Sequence, residues 1–563
     1  MTELNLSDKR STAARRTPAA TCDVLIVGAG FAGLYMLHRA RQLGLSAQVI
    51  EAGSGVGGTW YWNRYPGARC DVESLEYSYG FDEALQQEWR WSERFAPQPE
   101  ILAYARHVAH RFDLERDIRF NTRVIRAVFD EAASRWHVTA RRATSNGEDE
   151  QGSAPHEVRA QFVVMATGCL SSANLPVIPG IDSFQGARYH TGHWPHEPVD
   201  FTGLRVGIIG TGSSAVQSIP VIAKQARELH VFQRTAAYSV PAHNAPLDAQ
   251  YEAKIKADYA GFRARNLTMP AAFGSNLQAG TASALAAEPG ALTQAFEARW
   301  RAGGLGFSRA FTDIILNKEA NALAASFVRS KIRELVHDPE KAALLSPAQP
   351  IACKRLCVDS GYYDAFNQPH VHLTDISGDG NSGGIDEITP QGLRAAGRDF
   401  ELDAIVFATG FDAMTGALNK IDIRGRSGAA LADKWHAGPL NYLGLSVNGF
   451  PNLFTISGPG SPSVLTNMIV SIEQHVRWIG DCMVWLRTQG HQLIEATADA
   501  ERDWVAHVNT VASQTIYPSC NSWYLGANVP GKTRVFMPLP GFPAYVEKCE
   551  AVVAAGYAGF AYA

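Results

Sequence analysis

The sequence lacks a strong excess of charge of either sign. Its 51 Lys and Arg residues face 55 Asp and Glu residues, which gives a formal net charge of −4. Nucleic acid is therefore excluded as the main partner, because phosphate binding leaves a basic excess. The share of hydrophobic residues, 46%, is too high for a disordered or fibrous chain.

Long hydrophobic runs are missing as well. No stretch approaches the roughly 18 uninterrupted apolar residues that a membrane-spanning helix needs, so we expect no membrane association. The first residues lack the apolar core of a signal peptide, and we expect residues 1–21 to form a disordered tail. Together these absences predict a soluble cytoplasmic protein.

Paired cysteines are the third absence. The eight cysteines stand singly, with no CxxC motif and no set at the spacing of metal ligands. We therefore predict no metal site, and such cysteine usage fits a reducing compartment. A pyridine-nucleotide disulfide reductase needs a redox CxxC or CxxxxC pair, and the nearest pair here, Cys353 and Cys357, does not have that spacing.

The sequence does contain a repeated pattern of predicted strands and helices. A chain of 563 residues is too long for one hydrophobic core, so two or three domains are expected. Two segments, starting at Cys22 and at Leu204, each have the pattern of a short apolar strand, a glycine-rich turn, a helix and a second strand. Two such βαβ starts predict an α/β fold with two Rossmann-like dinucleotide-binding domains.

The order of the strands indicates that one domain is nested in the other. The apolar strand FVVMATG precedes the second βαβ unit, and a similar strand, AIVFATG, follows it. We therefore predict a first domain over 22–175 and 390–563 and a second domain over 195–389. An Ala-rich stretch with helical spacing predicts a helical insertion at about 245–345. This insertion would be either a wall or lid of the site or a packing appendage.

Gly28, Gly30 and Gly33 form the first glycine fingerprint, GxGxxG, between a strand and a helix. In such a turn the first glycine makes the bend, the second admits a pyrophosphate and the third lets helix and strand approach. The N-terminus of the helix adds N–H groups and partial positive charge for the phosphates. Glu51 ends the next strand, where an acid binds the ribose hydroxyls.

The stretch from Gly55 to Asp71, GVGGTWYWNRYPGARCD, points to the kind of dinucleotide. Its glycines free the backbone to run close to a flat ligand, and Trp60, Trp62 and Tyr65 offer aromatic surface. Such a continuation suits the extended body of FAD better than NAD. The alternative is a plain aromatic core loop.

Gly210 and Gly212 begin the second fingerprint, in which Ala215 stands at the third small position. The following strand ends in Arg234 and Thr235, where the first site has an acid. An acid there would repel a 2′-phosphate, whereas arginine and a hydroxyl can bind one, so the pattern predicts NADPH. A solvated surface arginine is the alternative.

Three motifs resemble those of the type I Baeyer–Villiger monooxygenases. The first runs from Gly57 to Asp71; the second, FQGARYHTGHWP from Phe184, fits the family signature FxGxxxHxxxWP; the third is DAIVFATGFD from Asp403. The segments SGPGSPSVLTNM and KRLCVDSGYYDAFN are most similar to the phenylacetone and steroid monooxygenases. The resemblance implies a flavoenzyme that uses NADPH and O2 to convert a ketone to an ester or lactone through a C4a-peroxyflavin.

The resemblance also implies roles for matching residues. Asp71 and Arg355 would form the catalytic centre, and His190 would couple cofactor binding to domain movement, with a structural histidine as the alternative. The FAD site would comprise Gly28, Gly30, Gly33, Glu51, Thr59, Trp60, Trp62, Asp71, Tyr77, Val124 and Met468. The NADP site would comprise Gly210, Gly212, Ser213, Ser214, Gln217, Arg234, Thr235, Lys354 and Trp523. The signature residues are Phe184, Gly186, His190 and Trp194, and the substrate pocket would be lined by Val72, Leu170, Ser463, Val464, Leu465 and Met468.

These residue types suit the chemistry. An arginine, with a pKa above about 12, stays charged and gives up no proton to a peroxide anion. It can also stabilise the oxyanion formed on the carbonyl, while Asp71 would orient it. The apolar pocket predicts a hydrophobic ketone, aryl, cyclic or steroidal, and nothing in the sequence requires an oligomer. The alternatives are a heteroatom-oxidising flavin-containing monooxygenase, against which the Trp194-Pro195 ending argues, and a non-catalytic flavin-binding sensor.

Overall fold

The computed structural model describes residues 20–277, 279–378 and 384–563. Residues 1–19 of the expected tail lie outside these ranges, so that expectation stays a prediction, whereas Ala20 and Thr21 already belong to the first strand. Among the described residues, no helix combines the length and the apolar composition needed to cross a membrane.

Strands and helices alternate along the described chain. The strands are β1 (Ala20–Val27), β2 (Ala47–Ile50), β3 (Ile118–Arg119), β4 (Thr122–Asp130), β5 (Arg135–Arg142), β6 (His156–Met165), β7 (Ala187–His190), β8 (Arg205–Ile209), β9 (Glu228–Gln233), β10 (Ser239–Pro241), β11 (Cys357–Asp359), β12 (Val371–Asp375), β13 (Ile385–Thr389), β14 (Gly392–Ala395), β15 (Arg398–Glu401), β16 (Ala404–Phe407), β17 (Asp422–Arg424), β18 (Leu453–Thr455), β19 (Ile494–Ala496) and β20 (Phe560–Tyr562). The α-helices are α1 (Phe31–Gln42), α2 (Thr59–Trp62), α3 (Glu83–Glu88), α4 (Gln98–Arg111), α5 (Ser213–Ile222), α6 (Ala249–Ala257), α7 (Tyr259–Leu267), α8 (Pro289–Ala302), α9 (Lys318–Leu335), α10 (Pro339–Leu344), α11 (Tyr362–Ala365), α12 (Gly416–Asn419), α13 (Leu431–Lys434), α14 (Met468–Gln489), α15 (Ala498–Ser513) and α16 (Phe542–Ala554).

The first large sheet builds the first nucleotide-binding unit. Its strand order is β17-β4-β5-β6-β1-β2-β3, and β18 also pairs with β6. β1 lies parallel to β2 and to β6, with Ile26 opposite Val49 and Val164, and all three side chains are fully buried. Parallel neighbours need a crossover, which α1 supplies between β1 and β2. This is the Rossmann-like arrangement predicted from the first fingerprint.

The second sheet has the order β12-β9-β8-β16-β7, and every neighbouring pair in it is parallel. The chain passes from β6 of the first sheet to β7 and returns from β16 to β17, so the second unit is nested in the first, as predicted. However, β7 and β16 lie outside 195–389, so the predicted limits of the second domain are too narrow. Local sequence could not show this, because contacts between distant segments decide which strands pair.

The helical insertion packs against both units. Helices α6 to α10 fill the predicted stretch between β10 and β11. Ile255, Tyr259 and Phe262, from α6 and α7, are buried in the core of the first unit. Phe296 and Val328, from α8 and α9, are buried in the core of the second unit. The insertion therefore ties the two units together.

The structure differs from the expectation of unpaired cysteines. Cys353 and Cys520 form a disulfide across a sequence separation of 167. Cysteine spacing could not reveal this bond, because its two halves meet only in the folded chain. The other described cysteines are free and buried: Cys22, Cys70, Cys169, Cys357, Cys482 and Cys549.

Candidate active site

The first glycine fingerprint packs tightly against the strand beside it. Gly28 has a φ of +105°, and a Cβ added there would lie 2.7 Å from the carbonyl oxygen of Ala166. A Cβ on Gly33 would lie 1.8 Å from the carbonyl oxygen of Gly28. This is the close helix–strand approach expected of the third glycine, and neither position accepts a side chain.

The N-terminus of α1 is open to an anion. Gly30 is its N-cap, no described side chain caps the helix, and its first turn holds no acid, so its N–H groups can bind phosphate. Glu51 lies beside this turn, where one carboxylate oxygen accepts the N–H of Ala29 at 2.6 Å and the other accepts the N–H of Gly53 at 2.7 Å. Burial raises the Glu51 pKa, and these two bonds oppose the rise. Each oxygen keeps a lone pair for a ribose hydroxyl.

The second fingerprint repeats this geometry. Gly210 has a φ of +110°, and a Cβ added there would lie 2.6 Å from the carbonyl oxygen of Ala408. At Gly212, the N-cap of α5, an added Cβ would meet no described atom within 4 Å. Gly212 therefore borders open space at an uncapped helix N-terminus, where a pyrophosphate fits. Ser213 and Ser214 form the first positions of this helix.

Gln217, predicted to bind NADP, makes contacts that join the two units. Its side-chain oxygen accepts the hydroxyl proton of Tyr65 at 2.8 Å, and its side-chain nitrogen donates to the carbonyl oxygen of Arg69 at 3.1 Å. A Cβ on Gly67 would lie 2.3 Å from the carbonyl oxygen of Gln217. The loop that leads to Asp71 is therefore seated on α5 of the second unit.

Two cations lie together at the end of the second βαβ start. Arg234 and Thr235 follow β9 and are exposed. Burial lowers the pKa of Lys354, and the positive charge of Arg234 lowers it further. The fold therefore brings Lys354 close to Arg234, which the sequence could not establish. Two neighbouring cations favour a phosphate ligand.

Arg355 and Asp71 form a charged centre between the two units. Nε and Nη2 of Arg355 donate to the two oxygens of Asp71, both at 2.8 Å, and Nη1 donates to the carbonyl oxygen of Val464 at 2.7 Å. The side chains of Arg355 and Asp71 are 25% and 20% exposed. Burial disfavours the charged guanidinium, but the Asp71 carboxylate outweighs burial and raises the Arg355 pKa. The arginine therefore stays charged at any working pH.

Sequence reasoning missed the tyrosines around this arginine. Burial raises the pKa values of Tyr517 and Tyr524, and the Arg355 charge opposes both rises, so both phenols lie near the guanidinium. Tyr524 also packs on Trp523, with ring centroids 4.4 Å apart. The motif SWYLGAN contains Tyr524, but nothing in it directs a phenol toward a distant arginine.

Most of the predicted pocket residues share one apolar cluster, which also contains Tyr524. The cluster includes Leu170, Val464, Leu465 and Met468. Ser463 is fully buried, and its hydroxyl donates to the carbonyl oxygen of Ser457 at 3.1 Å. Val72 packs in the core of the first unit instead. The structure thus brings four of these residues together and gives Ser463 a role in shaping its own loop.

The helical insertion borders the recess beside the ion pair. Asp71 and Val72 line this recess from the first unit, and Phe273, Leu305 and Arg309 line it from the insertion. This placement favours the interpretation of the insertion as a wall of the site over that of a packing appendage.

Two aromatic residues predicted for the first site, Trp60 and Trp62, also make contacts within the protein. Trp60 donates its indole N–H to the Tyr77 hydroxyl at 3.2 Å. The Trp62 ring lies 5.7 Å from the ring of His193, in the loop after β7 of the second sheet. Thr59 begins α2 and is exposed. Trp60 and Trp62 therefore fix the loop between Gly55 and Asp71 whether or not they also touch a ligand.

Val124 is a predicted FAD residue whose side chain lies inside the protein core. It is buried in the core of the first sheet with Val27 and Ile50. Only its backbone remains available to a dinucleotide. Met468, by contrast, begins α14 within the apolar cluster that contains Tyr524.

The signature residues lie in and around β7, the first strand of the second sheet along the chain. Phe184 and Trp194 are buried, and Trp194 stacks on Tyr189 with ring centroids 5.1 Å apart. A Cβ on Gly186 would lie 2.4 Å from the carbonyl oxygen of Asp403, so a glycine lets the chain approach β16. Trp194, in the Trp-Pro ending of the motif, therefore belongs to the core of the second unit.

His190, at the end of β7, bonds to the loop after it and to the segment that follows β16. Its Nδ1 accepts the N–H of Gly192 at 2.9 Å, and its Nε2 lies 3.3 Å from the Thr409 hydroxyl. Burial lowers its pKa to about 4, so the ring is neutral near pH 7. These contacts suit a structural histidine, and its part in domain movement stays a prediction.

Two glycine turns, one in each unit, and a partly buried ion pair between the units define an oxidoreductase with two dinucleotide sites. A family model described as flavin-binding monooxygenase-like matches residues 21–243. A Baeyer–Villiger monooxygenase of Pseudooceanicola batsensis is 41% identical over 548 residues, which cover 96% of each chain. A phenazine N-monooxygenase of Lysobacter antibioticus is 39% identical over 545 residues, again 96% of each chain.

A solved structure agrees with these relatives. An oxidized steroid monooxygenase bound to NADP has a TM-score of 0.89 and 49% identity, covering 96% of this chain and 99% of that chain. Identity at this level over nearly the whole length shows the family. The chain belongs to the Baeyer–Villiger monooxygenases.

Proposed function

We propose that this protein uses FAD, NADPH and O2 to convert hydrophobic ketones to esters or lactones. The observation that carries the proposal is the two-point ion pair of Arg355 and Asp71, which joins the two units that each carry a dinucleotide turn. Each turn leaves an uncapped helix N-terminus for a pyrophosphate. Membership of the Baeyer–Villiger monooxygenases supplies the reaction class.

The residues present fit both cofactors. FAD would lie on the first turn, with its pyrophosphate at Gly30 and its ribose at Glu51. NADPH would lie on the second turn, with its pyrophosphate at Gly212 and its 2′-phosphate between Arg234 and Lys354. When bound, the two cofactors supply the electrons that activate oxygen.

Arg355 would supply electrostatic stabilisation. Its guanidinium keeps its proton, so it can hold an anionic oxygen without neutralising it by proton transfer. The same charge favours the oxyanion that forms when a carbonyl is attacked, and it is already in place before the reaction. Asp71 would orient the guanidinium with its two bonds, while Val464 holds the remaining nitrogen.

The substrate would be an uncharged ketone of moderate to large size. The predicted pocket side chains are mostly apolar, and Leu170, Leu465 and Met468 are only partly buried in their cluster. A charged keto acid would find the nearest cation already bound to Asp71. Binding of such an acid would also cost the desolvation of its carboxylate.

The test is oxygenation by the purified FAD-loaded protein. NADPH consumption would be measured with an aryl, a cyclic and a steroidal ketone and with a small 2-keto acid, and the products identified by mass spectrometry. We expect ester or lactone from at least one hydrophobic ketone. Bound FAD without ketone-dependent NADPH consumption would indicate the sensor alternative, and turnover of the keto acid alone would overturn the substrate class.

A second candidate is oxygen transfer to nitrogen or sulfur. The observation that favours it is the 39% identity to a phenazine N-monooxygenase over 96% of this chain. Trp194 gives no reason against it, because its side chain packs in the core of the second unit. Replacing the ketones by an aromatic amine, a phenazine and a sulfide in the same assay separates the two functions.

A further inference from the structure

A covalent bond joins the segment of Arg355 to a loop near the C-terminal end of the chain. Cys353 stands just before Lys354 and Arg355, and Cys520 stands three positions before Trp523. The Cα atoms of the two cysteines are 6.1 Å apart, within the roughly 4.4–6.8 Å that disulfides span. The proposed oxygenation has no step that needs this bond.

The bond holds a loop that hydrogen bonds also attach at both ends and, between them, at Tyr524, whose carbonyl oxygen accepts the N–H of Met537 at 3.0 Å. This loop, residues 516–528, is called the cysteine loop here. At one end, the N–H of Ile516 donates to the carbonyl oxygen of Ile315 at 2.9 Å. At the other end, the Asn528 side chain donates to the carbonyl oxygen of Phe411 at 2.6 Å. The disulfide is the covalent tie between these ends.

Two residues of the cysteine loop lie on one side of Arg355. Asp71 and Val464 hold the guanidinium by three hydrogen bonds. Tyr517 and Tyr524, from the loop, lie near the same charge, and Tyr524 is almost fully buried. Release of the loop would therefore expose this side of Arg355 while leaving its bond to Asp71 in place.

We propose that Cys353–Cys520 is a redox site that controls how firmly the cysteine loop covers Arg355 and the NADP site. The oxidised pair holds the loop in place, and reduction releases it. The effect on NADP rests on the proposed function, because Lys354 and Trp523 are the expected NADP residues beside the two cysteines. The bond and the release of the loop do not rest on it.

Reduction takes place by thiol–disulfide exchange with a dithiol. A reductant thiolate attacks the sulfur of Cys520, which is partly exposed, whereas Cys353 is fully buried. The S–S bond breaks, Cys353 leaves as a thiolate and takes up a proton, and the second reductant thiolate displaces Cys520. The protein gains two electrons and two protons, and the dithiol becomes a disulfide.

Oxidation by hydrogen peroxide restores the bond. The Cys520 thiolate attacks the O–O bond and becomes a sulfenic acid, releasing one water after proton uptake. The Cys353 thiolate then attacks that sulfur and displaces its hydroxyl group as a second water. One peroxide is reduced, and two thiols are oxidised to one disulfide.

The other described cysteines make poor competitors for these reagents. All six are buried, and burial raises the pKa of Cys22, for example, to about 12. Thiols of that kind react slowly, because the thiolate is the reactive form. The control variant is therefore Cys22→Ser, which removes a cysteine but leaves the disulfide.

The experiment compares wild type, Cys22→Ser, Cys520→Ser and the double variant Cys353→Ser/Cys520→Ser. Each protein is alkylated on lysis, digested and searched by mass spectrometry for the linked peptide, before and after a dithiol and hydrogen peroxide. Thermal unfolding, limited proteolysis of the cysteine loop and the calorimetric Kd of NADP+ are measured on the same samples.

We expect a linked peptide in wild type and in Cys22→Ser, lost with the dithiol and regained with peroxide. Reduction should lower Tm, speed cleavage in the cysteine loop and raise the Kd of NADP+ on the order of fivefold. Cys520→Ser and the double variant should behave as reduced protein in either condition. The absence of a linked peptide after peroxide would overturn the proposal, and so would equal responses of wild type and the double variant. Loop release without a change in the Kd would overturn only the link to NADP.

Discussion

The guanidinium of Arg355 meets both carboxylate oxygens of Asp71 at 2.8 Å, although 284 positions separate the two residues. Asp71 belongs to the first nucleotide-binding unit, and Arg355 follows the insertion in the second. The pair therefore forms only when the two units have docked. The loop before Asp71 is seated on α5 through Gln217, so the docking and the pair depend on each other.

Replacing Arg355 by alanine should strongly slow ester formation but spare cofactor binding and flavin reduction. Loss of a preorganised charge at a developing oxyanion lowers the rate on the order of 10²–10³-fold. Stopped-flow absorbance with NADPH should show flavin reduction, and the oxygen consumed should appear as hydrogen peroxide. Ester formation near the wild-type rate would contradict the assigned role.

The variant Arg355→Lys is the matched control, because it keeps the positive charge but loses the geometry of the guanidinium. A lysine keeps a positive charge but cannot form the two parallel bonds to Asp71 or reach Val464 with a third nitrogen. We expect a small recovery of activity over Arg355→Ala at most. Full activity of the lysine variant would show that charge alone suffices and that the two-point contact is dispensable.

Removal of the Arg234 guanidinium should change the choice of nicotinamide cofactor. A charge-assisted contact to the 2′-phosphate contributes roughly 1.5–3 kcal/mol, so Arg234→Ala should raise the NADPH KM about 10- to 150-fold. NADH lacks this phosphate, and its KM should hardly change. The measurement is steady-state kinetics with both cofactors at a saturating ketone concentration. Equal losses with NADPH and NADH would exclude the phosphate contact.

Two glycines of the second turn should respond differently to alanine. At Gly212 an added Cβ meets no described atom within 4 Å, so Gly212→Ala should fold with a nearly unchanged Tm. The same methyl group would occupy the space of the pyrophosphate, and the Kd of NADP+ should rise at least about tenfold.

Gly210→Ala should instead destabilise the protein. Its φ is +110°, and the Cβ would lie 2.6 Å from the carbonyl oxygen of Ala408, which costs about 1–3 kcal/mol through strain alone. Calorimetric unfolding of both variants provides the comparison. A larger loss of stability for Gly212→Ala than for Gly210→Ala would show that the turn is packed differently.

His475 should make the free energy of unfolding depend on pH. It is fully buried; its Nδ1 accepts the N–H of Ser457 at 2.9 Å, and its Nε2 lies 2.9 Å from the Tyr545 hydroxyl, which donates to Leu443. Burial lowers its pKa from 6.5 to about 3. Between these values the unfolded chain binds more protons, so stability falls as pH falls from 6.5 toward 3, by up to about 1.4 kcal/mol per pH unit.

The variant His475→Gln tests this dependence. It removes the titrating group, so the slope of unfolding free energy against pH in this window should become shallower, whatever the loss of stability at pH 7. Chemical denaturation at several pH values between 4 and 7 measures the slope. Identical slopes for variant and wild type would show that His475 does not contribute.

The sequence was most informative where a feature depends on neighbours along the chain. The turns at Gly28 and Gly210 and the arginine after β9 are local patterns, and the structure has the turns and strands where these patterns predict them. The membership of β16 in the second sheet, the contacts of Gln217 and the Cys353–Cys520 bond depend on segments far apart. No local pattern encodes such pairing, because tertiary contacts decide it. The catalytic role of Arg355 was predicted only from the family resemblance, because an arginine before a turn is by itself an ordinary surface residue.

The two-sided burial of the insertion limits how parts of this protein can be exchanged with those of its relatives. A chimaera that transplants residues 195–389 as one block would carry α6 and α7 away from the core in which Ile255, Tyr259 and Phe262 are buried. The host would then have to supply a foreign surface that fits these side chains. The workable junction lies between Leu267, where α7 ends, and Pro289, where α8 begins. A transplanted second unit should therefore carry only α8 to α10 of its insertion, while the host keeps its own α6 and α7.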